Sequence, residues 1–132
     1  TAIASASLPK IPDFDMLHLS NTAWACSQFE YLNVPLMEAI SSASLARIAL
    51  LVPAHLATTA RAFALLAVHD LPLLSSIAAA ALTRIDEFRA QELSNTAWAF
   101  ARCGLPNIPL FDAIASAAST RLSNQFNTLN LT

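Results

Sequence analysis

The sequence is poor in glycine and in paired cysteine, and each shortage excludes a class of protein. It contains one glycine in 132 residues, so it has no glycine-rich loop to hold a phosphate group. With so little glycine, every repeated segment can be helical. Cys26 and Cys103 form no CxxC pair, and both are expected to be buried thiols, as is usual in a reducing compartment.

Charge is scarce as well, because Asp, Glu, Lys and Arg make up only 12% of the chain, about half the usual share. Apolar residues make up 55%, and the mean hydropathy is +0.51. A membrane span is nevertheless not expected, since the apolar segment 71–83 is shorter than the ~20 residues that cross a bilayer. The apolar content instead predicts helices that are buried on more than one side.

A repeat of 37 residues runs through the chain. The heptapeptide LSNTAWA occurs at 19–25 and again at 93–99, and a partly matching sequence, LATTARA, lies midway at 56–62. A fixed period of roughly 20–50 residues is typical of solenoids and other arrays. We therefore interpret the chain as part of a longer array, with a half repeat at 1–18, repeats at 19–55, 56–92 and 93–129, and the start of a further repeat at 130–132.

Each repeat predicts two helices. The second helix opens with NVPLMEAI, DLPLLSSI or NIPLFDAI, in which an N-capping side chain precedes a proline of the first turn. The caps and prolines are Asn33 and Pro35, Asp70 and Pro72, and Asn107 and Pro109, and these helices are expected to run to Arg47, Arg84 and Arg121. The first helices are expected to begin near Asp15, Pro53, Arg89 and Asn127, and to end before the loops 29–33, 66–70 and 103–107. With no strand period present, the predicted fold is an all-α solenoid of stacked helical hairpins.

Within the first helix, one set of repeat positions predicts the core and another predicts a variable surface. A stripe at i, i+3, i+4 and i+7 is expected to be buried between helices, including Leu19, Ala23, Leu56, Ala60, Leu93 and Ala97. Close helix contact explains why one position is always small, at Ala25, Ala62 and Ala99. Three positions differ between repeats and share another face: Asn21, Thr58 and Asn95; Trp24, Arg61 and Trp98; Gln28, Leu65 and Arg102.

The 37-residue hairpin, with LSNTAWAFA in its first helix and IPLFDAIASAA in its second, resembles the octotricopeptide and heptatricopeptide repeat proteins. These are organellar helical-repeat proteins of green algae and alveolates. The resemblance covers the whole chain. It implies an α-solenoid in a mitochondrion or plastid that binds single-stranded or ribosomal RNA, in transcript maturation, stability, translation or a ribosome. The middle repeat departs from the pattern at Thr58 and Arg61, so its part in recognition is open.

Helical-repeat RNA binders address one base with two or three side chains of each repeat. By that logic the base-facing candidates are Asn21, Trp24, Gln28, Thr58, Arg61, Asn95, Trp98 and Arg102. An amide can donate to and accept from a base edge, and an indole can stack on a base. Two alternatives stay open: the asparagines could cap or bridge hairpins, and the tryptophans could pack between repeats.

A basic residue also recurs once per 37 positions, at Lys10, Arg47, Arg84 and Arg121. Stacked hairpins would bring the members of this basic ladder to about 8–10 Å from one another, as candidates for phosphate contacts. The alternative is that each cation complements the dipole at a helix C-terminus. The chain has a net charge of −2 and a pI near 5.8, whereas a typical nucleic-acid-binding protein is basic.

The sequence does not predict an enzyme. His18 and His55 share a repeat position with Glu92, so neither is interpreted as catalytic, and His69 is in a loop. No metal-ligand spacing, cofactor motif or pairing of nucleophile and base is present. Two functions therefore remain: RNA binding, and a protein–protein scaffold in an organellar assembly such as a ribosome or photosynthetic complex. The acidic pI, the low charge and the apolar middle repeat favour the scaffold. The family resemblance, the basic ladder and the variable Asn/Trp/Gln face favour RNA binding, which is the function that we predict.

Overall fold

Six α-helices make up most of the part of the chain that this computed structural model describes, which is Leu8, Lys10 and residues 14–130. Residues 1–7, 9, 11–13 and 131–132 of the predicted half repeat and further repeat lie outside it. The helices are α1 (Met16–Gln28), α2 (Val34–Ala46), α3 (Pro53–Leu65), α4 (Leu71–Thr83), α5 (Ala90–Arg102) and α6 (Ile108–Asn130). The described residues contain no strand, which confirms the all-α prediction. None of these six helices is both long and apolar enough to cross a bilayer.

The second helix of each hairpin begins at the predicted capping residue. In every case the cap side chain accepts a hydrogen bond from the main-chain N–H three residues later, which satisfies one of the unpaired donors of the first turn. These bonds, all 3.0 Å long, join Asn33 to Leu36, Asp70 to Leu73 and Asn107 to Leu110. The proline stands second in α2, α4 and α6, where its missing N–H removes no intrahelical bond.

Each hairpin turns through one residue in the left-handed conformation. The φ angle is 51° at Glu30, 57° at Ala67 and 66° at Gly104. The N–H of the following residue then donates to a carbonyl five positions earlier, in the pairs Tyr31–Cys26, Val68–Phe63 and Leu105–Phe100. This is the Schellman closure of a helix C-terminus, and it returns the chain alongside the helix that has just ended.

The six helices pack in two layers. The first layer, α1, α3 and α5, is packed more extensively than the second layer, α2, α4 and α6. Close approach in the first layer is possible because its buried faces carry small residues, among them Ser20, Ala23, Ala57, Ala60, Ala62 and Ala99. Larger side chains fill the rest of the core, where burial stabilises by about 1.5–3 kcal/mol for each. The fully buried ones include Phe63, Phe88, Phe100, Met37, Ile40 and Ile77.

Some predictions of burial are wrong at the ends of the first layer: Cys26 of α1 is only half-buried, and two alanines differ as well. The residues that are buried as predicted are Leu19, Ala23, Leu56, Ala60, Leu93, Ala62 and Ala99. Ala97 of α5 is only half-buried, and Ala25 of α1 is exposed. Both differences have the same physical cause. Each residue lies on the face of a terminal helix that is turned away from α3, where no helix of the described chain covers it.

The last helix does not end where the sequence predicts. Arg47 and Arg84 are the C-caps of α2 and α4, as predicted, and short 3-10 turns follow them at Ile48–Leu50 and Ile85–Glu87. By contrast α6 continues through Arg121 to Asn130, so a helix start near Asn127 is wrong. After the two earlier caps the chain buries a large apolar residue, Leu51 or Phe88. Phe126, which follows Phe88 by 38 positions, is 65% exposed and has no later described helix to pack against, so the local helical hydrogen bonds prevail.

Candidate nucleic-acid interface

The base-facing candidates lie on the first layer, outside its core. They belong to three neighbouring helices: Asn21, Trp24 and Gln28 to α1, Thr58 and Arg61 to α3, and Asn95, Trp98 and Arg102 to α5. Spacings of three, four and seven place them on one face of each helix, because such residues are neighbours on a helix surface. Trp24 is 49% exposed and Trp98 is 37% exposed. The first layer thus presents polar, basic and aromatic groups that a ligand can reach.

Four of these side chains meet between α3 and α5. The Arg61 guanidinium donates from Nη1 to Oδ1 of Asn95 at 3.0 Å, although the two residues are 34 positions apart. The same guanidinium lies 5.1 Å from the centroid of the Trp98 ring, and the Arg102 guanidinium lies 5.6 Å from it. Both distances fall within the range of cation–π attraction. We call Arg61, Asn95, Trp98 and Arg102 the arginine–tryptophan cluster.

The arginine–tryptophan cluster combines groups that can recognise a nucleotide. A guanidinium keeps its charge at physiological pH and carries five N–H donors, so Arg61 and Arg102 can each donate to a phosphate or a base edge. The bond from Arg61 fixes the orientation of the Asn95 amide, whose Nδ2 group stays available to donate. The exposed part of the Trp98 indole offers an aromatic surface for stacking.

The equivalent residues of α1 do not form such a cluster. Within the described residues, Asn21, Trp24 and Gln28 make no side-chain hydrogen bond or cation–π contact with one another or with Thr58. The reason is the residue at the second variable position. Trp24 stands where α3 has Arg61, so α1 has no cation to reach the next helix. The structure therefore unites four of the eight candidates and leaves the other four as separate side chains.

Acidic side chains are absent from the exposed surface of the first layer. Glu92 is the one acidic residue within α1, α3 and α5, and it is only 6% exposed. Its Oε1 accepts a hydrogen bond from the Arg89 guanidinium at 2.9 Å. Burial acts to raise the pKa of Glu92, but the hydrogen bond and charge of Arg89 outweigh it and hold that pKa below its ordinary value. This surface is therefore locally positive, although the whole chain carries a net charge of −2.

The basic ladder lies elsewhere, and its arginines are engaged with the protein itself. The Arg47 guanidinium donates to the carbonyl of Phe14, and the Arg84 guanidinium donates to the carbonyl of Leu51 and to Glu87. Arg121 reaches the carbonyl of Asp86 at 3.5 Å. The bonds to main-chain carbonyls tie the ends of α2 and α4, and the middle of α6, to preceding segments of the chain. Lys10, the remaining member, is exposed.

The histidines and cysteines form no reactive group. His18 completes a capping box with Asp15, in which each residue's side chain accepts the other's main-chain N–H, and His69 is exposed. Cys26 and Cys103 are not joined in a disulfide, and burial raises the pKa of both thiols. Among residues 14–127, whose side chains are described, no three His, Cys, Asp or Glu residues come close enough to hold a metal ion.

The bond between Arg61 and Asn95 joins two hairpins, which is the alternative that the sequence left open for the asparagines, but sequence reasoning did not identify Arg61 as the partner. Its signal was a separation of 34, three less than the period, which pairs the second variable position of one repeat with the first of the next. Comparison with known proteins does not add to this description. No family model matches the chain, and no curated protein or solved structure was found to be similar to it.

Proposed function

We propose that the chain is an α-solenoid of helical hairpins that repeat every 37 residues. The support is the regular placement of the helices. The first-layer helices begin at Met16, Pro53 and Ala90, and the second-layer helices begin at Val34, Leu71 and Ile108, so that each start follows the previous one by 37 positions. The left-handed turn residues, Glu30, Ala67 and Gly104, keep the same interval.

The function that we propose for this solenoid is binding of single-stranded RNA through the first layer. The arginine–tryptophan cluster is the observation that carries the proposal. Stacking of one base on the Trp98 indole would contribute about 1–3 kcal/mol. Arg61 and Arg102 would then donate to the phosphate or to the base edge, and the oriented Asn95 amide would donate to a base acceptor.

The acidic pI does not exclude this proposal, because what a nucleic acid meets is the local charge. The exposed face of α1, α3 and α5 carries Arg61 and Arg102, while the acidic side chains other than Glu92 lie outside these helices. A small number of phosphate contacts is also consistent with a protein that recognises the bases of an RNA more than its sugar–phosphate backbone. By the family resemblance, the place of action would be a mitochondrion or plastid, and the RNA would be a transcript or ribosomal RNA.

Fluorescence of Trp98 provides a direct test. In a Trp24→Phe background, Trp98 is the only tryptophan, and a single-stranded RNA that stacks on it is expected to quench its emission in a saturable way. Arg61→Gln should weaken binding and lower the slope of log K against log salt by about 0.7 if it loses one phosphate contact. The matched control is Lys10→Gln, which removes the same charge from an exposed side chain outside the cluster.

Three outcomes of this experiment have distinct meanings. A loss with Arg61→Gln that exceeds the loss with Lys10→Gln supports the cluster. Equal losses would show that the RNA responds only to net charge. No quenching by any single-stranded RNA at low salt would refute RNA binding and favour the other function.

That other function is a scaffold that binds protein subunits of an organellar assembly. The observation that favours it is the apolar surface away from the cluster. Phe29 is 86% exposed, and Leu122 and Phe126 of α6 are 66% and 65% exposed. Leu122 and Phe126 are four residues apart on α6 and are therefore neighbours on its surface, and contiguous exposed apolar side chains are typical of protein–protein contact sites.

A further inference from the structure

The side chains of the arginine–tryptophan cluster offer a ligand hydrogen-bond donors and almost no acceptor. A guanidinium and an indole carry only N–H donors, so Arg61, Arg102 and Trp98 cannot accept a hydrogen bond from a ligand. The one acceptor in the cluster is Oδ1 of Asn95, and it already accepts from the Arg61 guanidinium at 3.0 Å. This bond orients the amide, because only the oxygen of an amide can accept, and it leaves Nδ2 to donate. A donor group of a ligand would therefore have to share Oδ1 with a guanidinium.

Neighbouring side chains do not supply the missing acceptor. Glu92 lies one turn before Asn95 on α5, but it is 6% exposed and is paired with Arg89, so a ligand does not reach its carboxylate. Thr58 lies one turn before Arg61 on α3, and its hydroxyl donates as readily as it accepts. Thr58 therefore favours neither donors nor acceptors in a ligand. What a ligand meets at the cluster is a positively charged surface of donors.

The four bases of RNA differ in what they present to such a surface. Guanine presents two adjacent acceptors, O6 and N7, which match the planar fork of a guanidinium, and uracil presents the keto oxygen O4. Adenine and cytosine carry an amino group, a donor, in place of that keto oxygen. An amino group that faced the donors of the cluster would give up its bond to water without gaining a partner, and this costs binding free energy.

We propose that the arginine–tryptophan cluster selects a base with a keto oxygen, guanine first and uracil second, over adenine and cytosine. This inference rests on the RNA binding proposed above and names the base that the site takes. The base stacks on the exposed part of Trp98, the Arg102 guanidinium donates to its keto oxygen, and Nδ2 of Asn95 donates to a further acceptor. Asn95 determines the preference, because its bond with Arg61 turns an amide that could accept as well as donate into a donor.

Five RNA nonamers test the preference directly. Each has four cytidines on either side of a central guanosine, inosine, uridine, adenosine or cytidine, and binding is followed by quenching of Trp98 in the Trp24→Phe protein. The guanosine, inosine and uridine strands are expected to bind about tenfold or more tightly than the adenosine and cytidine strands, since a matched contact to a base edge discriminates to that order. Inosine is the informative purine, because it has the O6 and N7 of guanine but lacks the amino group of guanine.

Asn95→Asp in the same protein tests the role of the amide. The carboxylate keeps one oxygen for Arg61 and replaces the Nδ2 donor by a second acceptor, so the tighter binding of the guanosine strand over the adenosine strand should be lost or reversed. The matched control is Gln125→Glu, the same change of amide to carboxylate at an exposed position of α6, which should leave that ratio unchanged. A ratio of two affinities measured on one protein does not depend on the fraction that is folded, so partial unfolding cannot imitate the result.

The possible outcomes separate this inference from the proposed function. Equal affinity for all five strands, with quenching in each, would overturn the base preference and leave RNA binding intact, because phosphate contacts do not distinguish bases. Tighter binding of the adenosine or cytidine strand would also overturn it, as would an equal effect of Asn95→Asp and Gln125→Glu on the guanosine-to-adenosine ratio. Absence of quenching by every strand would refute the RNA binding itself, and the base preference with it.

Discussion

Glu92 is the residue whose setting is most unusual for its type. It is a carboxylate that is nearly enclosed at the start of α5, at the repeat position that His18 and His55 occupy in the other first-layer helices. Arg89 pairs with Oε1, while Oε2 has no partner in the described structure. A buried carboxylate tolerates this only while its charge is compensated, so the ion pair makes the start of α5 sensitive to acid.

The pH dependence of stability should reveal this pair. Because the folded pKa of Glu92 is lowered, its contribution is present above the unfolded value of about 4.3 and is lost as the pH falls through the folded pKa. Glu92→Gln should therefore lower Tm at pH 7, and the difference from the parent should shrink below about pH 4. Glu38→Gln, at an exposed position of α2, is the control for a lost charge. A Tm difference for Glu92→Gln that is constant from pH 7 to pH 3 would contradict the assignment.

At the scale of the helix, local chemistry sets where the second-layer helices begin and where the first-layer helices end. Asn33, Asp70 and Asn107 each cap a helix through a bond between residues three apart, which no distant contact can alter. The left-handed turns are equally local, since each one closes with a hydrogen bond to the helix that it ends. These helix ends are therefore specified by the sequence next to them.

Removal of one cap tests this locality. Asp70→Ala should destabilise the protein by about 1 kcal/mol, because the N–H of Leu73 loses its partner at the start of α4. For a chain of this length, that corresponds to a fall in Tm of about 3–6 °C in a circular dichroism melt. Asp86→Ala, which removes an exposed carboxylate that makes no side-chain hydrogen bond, should leave Tm nearly unchanged. If the two variants melt together, the cap contributes nothing.

Sequence reasoning fails where the structure depends on a neighbouring helix and not on local hydrogen bonds. Ala25 and Ala97 occupy the same repeat positions as buried alanines, and only their place on a terminal helix leaves them uncovered. The continuation of α6 past Arg121 has the same origin, since a turn there would need a further helix to pack against. The pairing of Arg61 with Asn95 depends on how α3 and α5 are aligned, which a period of 37 alone does not specify.

At the scale of the molecule, the core is one continuous cluster that extends from Leu19 to Ile114. Each first-layer helix nevertheless packs mainly on its immediate neighbour in that layer, α1 on α3 and α3 on α5. A structure of this kind is stabilised by a chain of adjacent interfaces, so its parts can lose stability by degrees.

A truncated chain tests whether removing two helices lowers the stability without unfolding the rest. A chain that ends at residue 92 loses α5 and α6 and should remain helical by circular dichroism, because α1–α4 keep their own interfaces. Its urea midpoint should be lower, and its m-value should fall in proportion to the smaller surface that is buried. Complete loss of helicity would show that the six helices fold only as a unit. A midpoint equal to that of the parent would show that α5 and α6 add no stability.

Two of the left-handed turns are positions at which a substitution would stabilise the fold. Glu30 and Ala67 hold a conformation that costs a residue with a Cβ atom about 1 kcal/mol more than glycine, whereas the third turn has Gly104. Glycine at either position would relieve that strain without adding any group to the surface. Both residues are exposed and neither belongs to the arginine–tryptophan cluster. A destabilising change in that cluster could thus be compensated at the turns, which leaves recognition free to diverge while the fold is maintained.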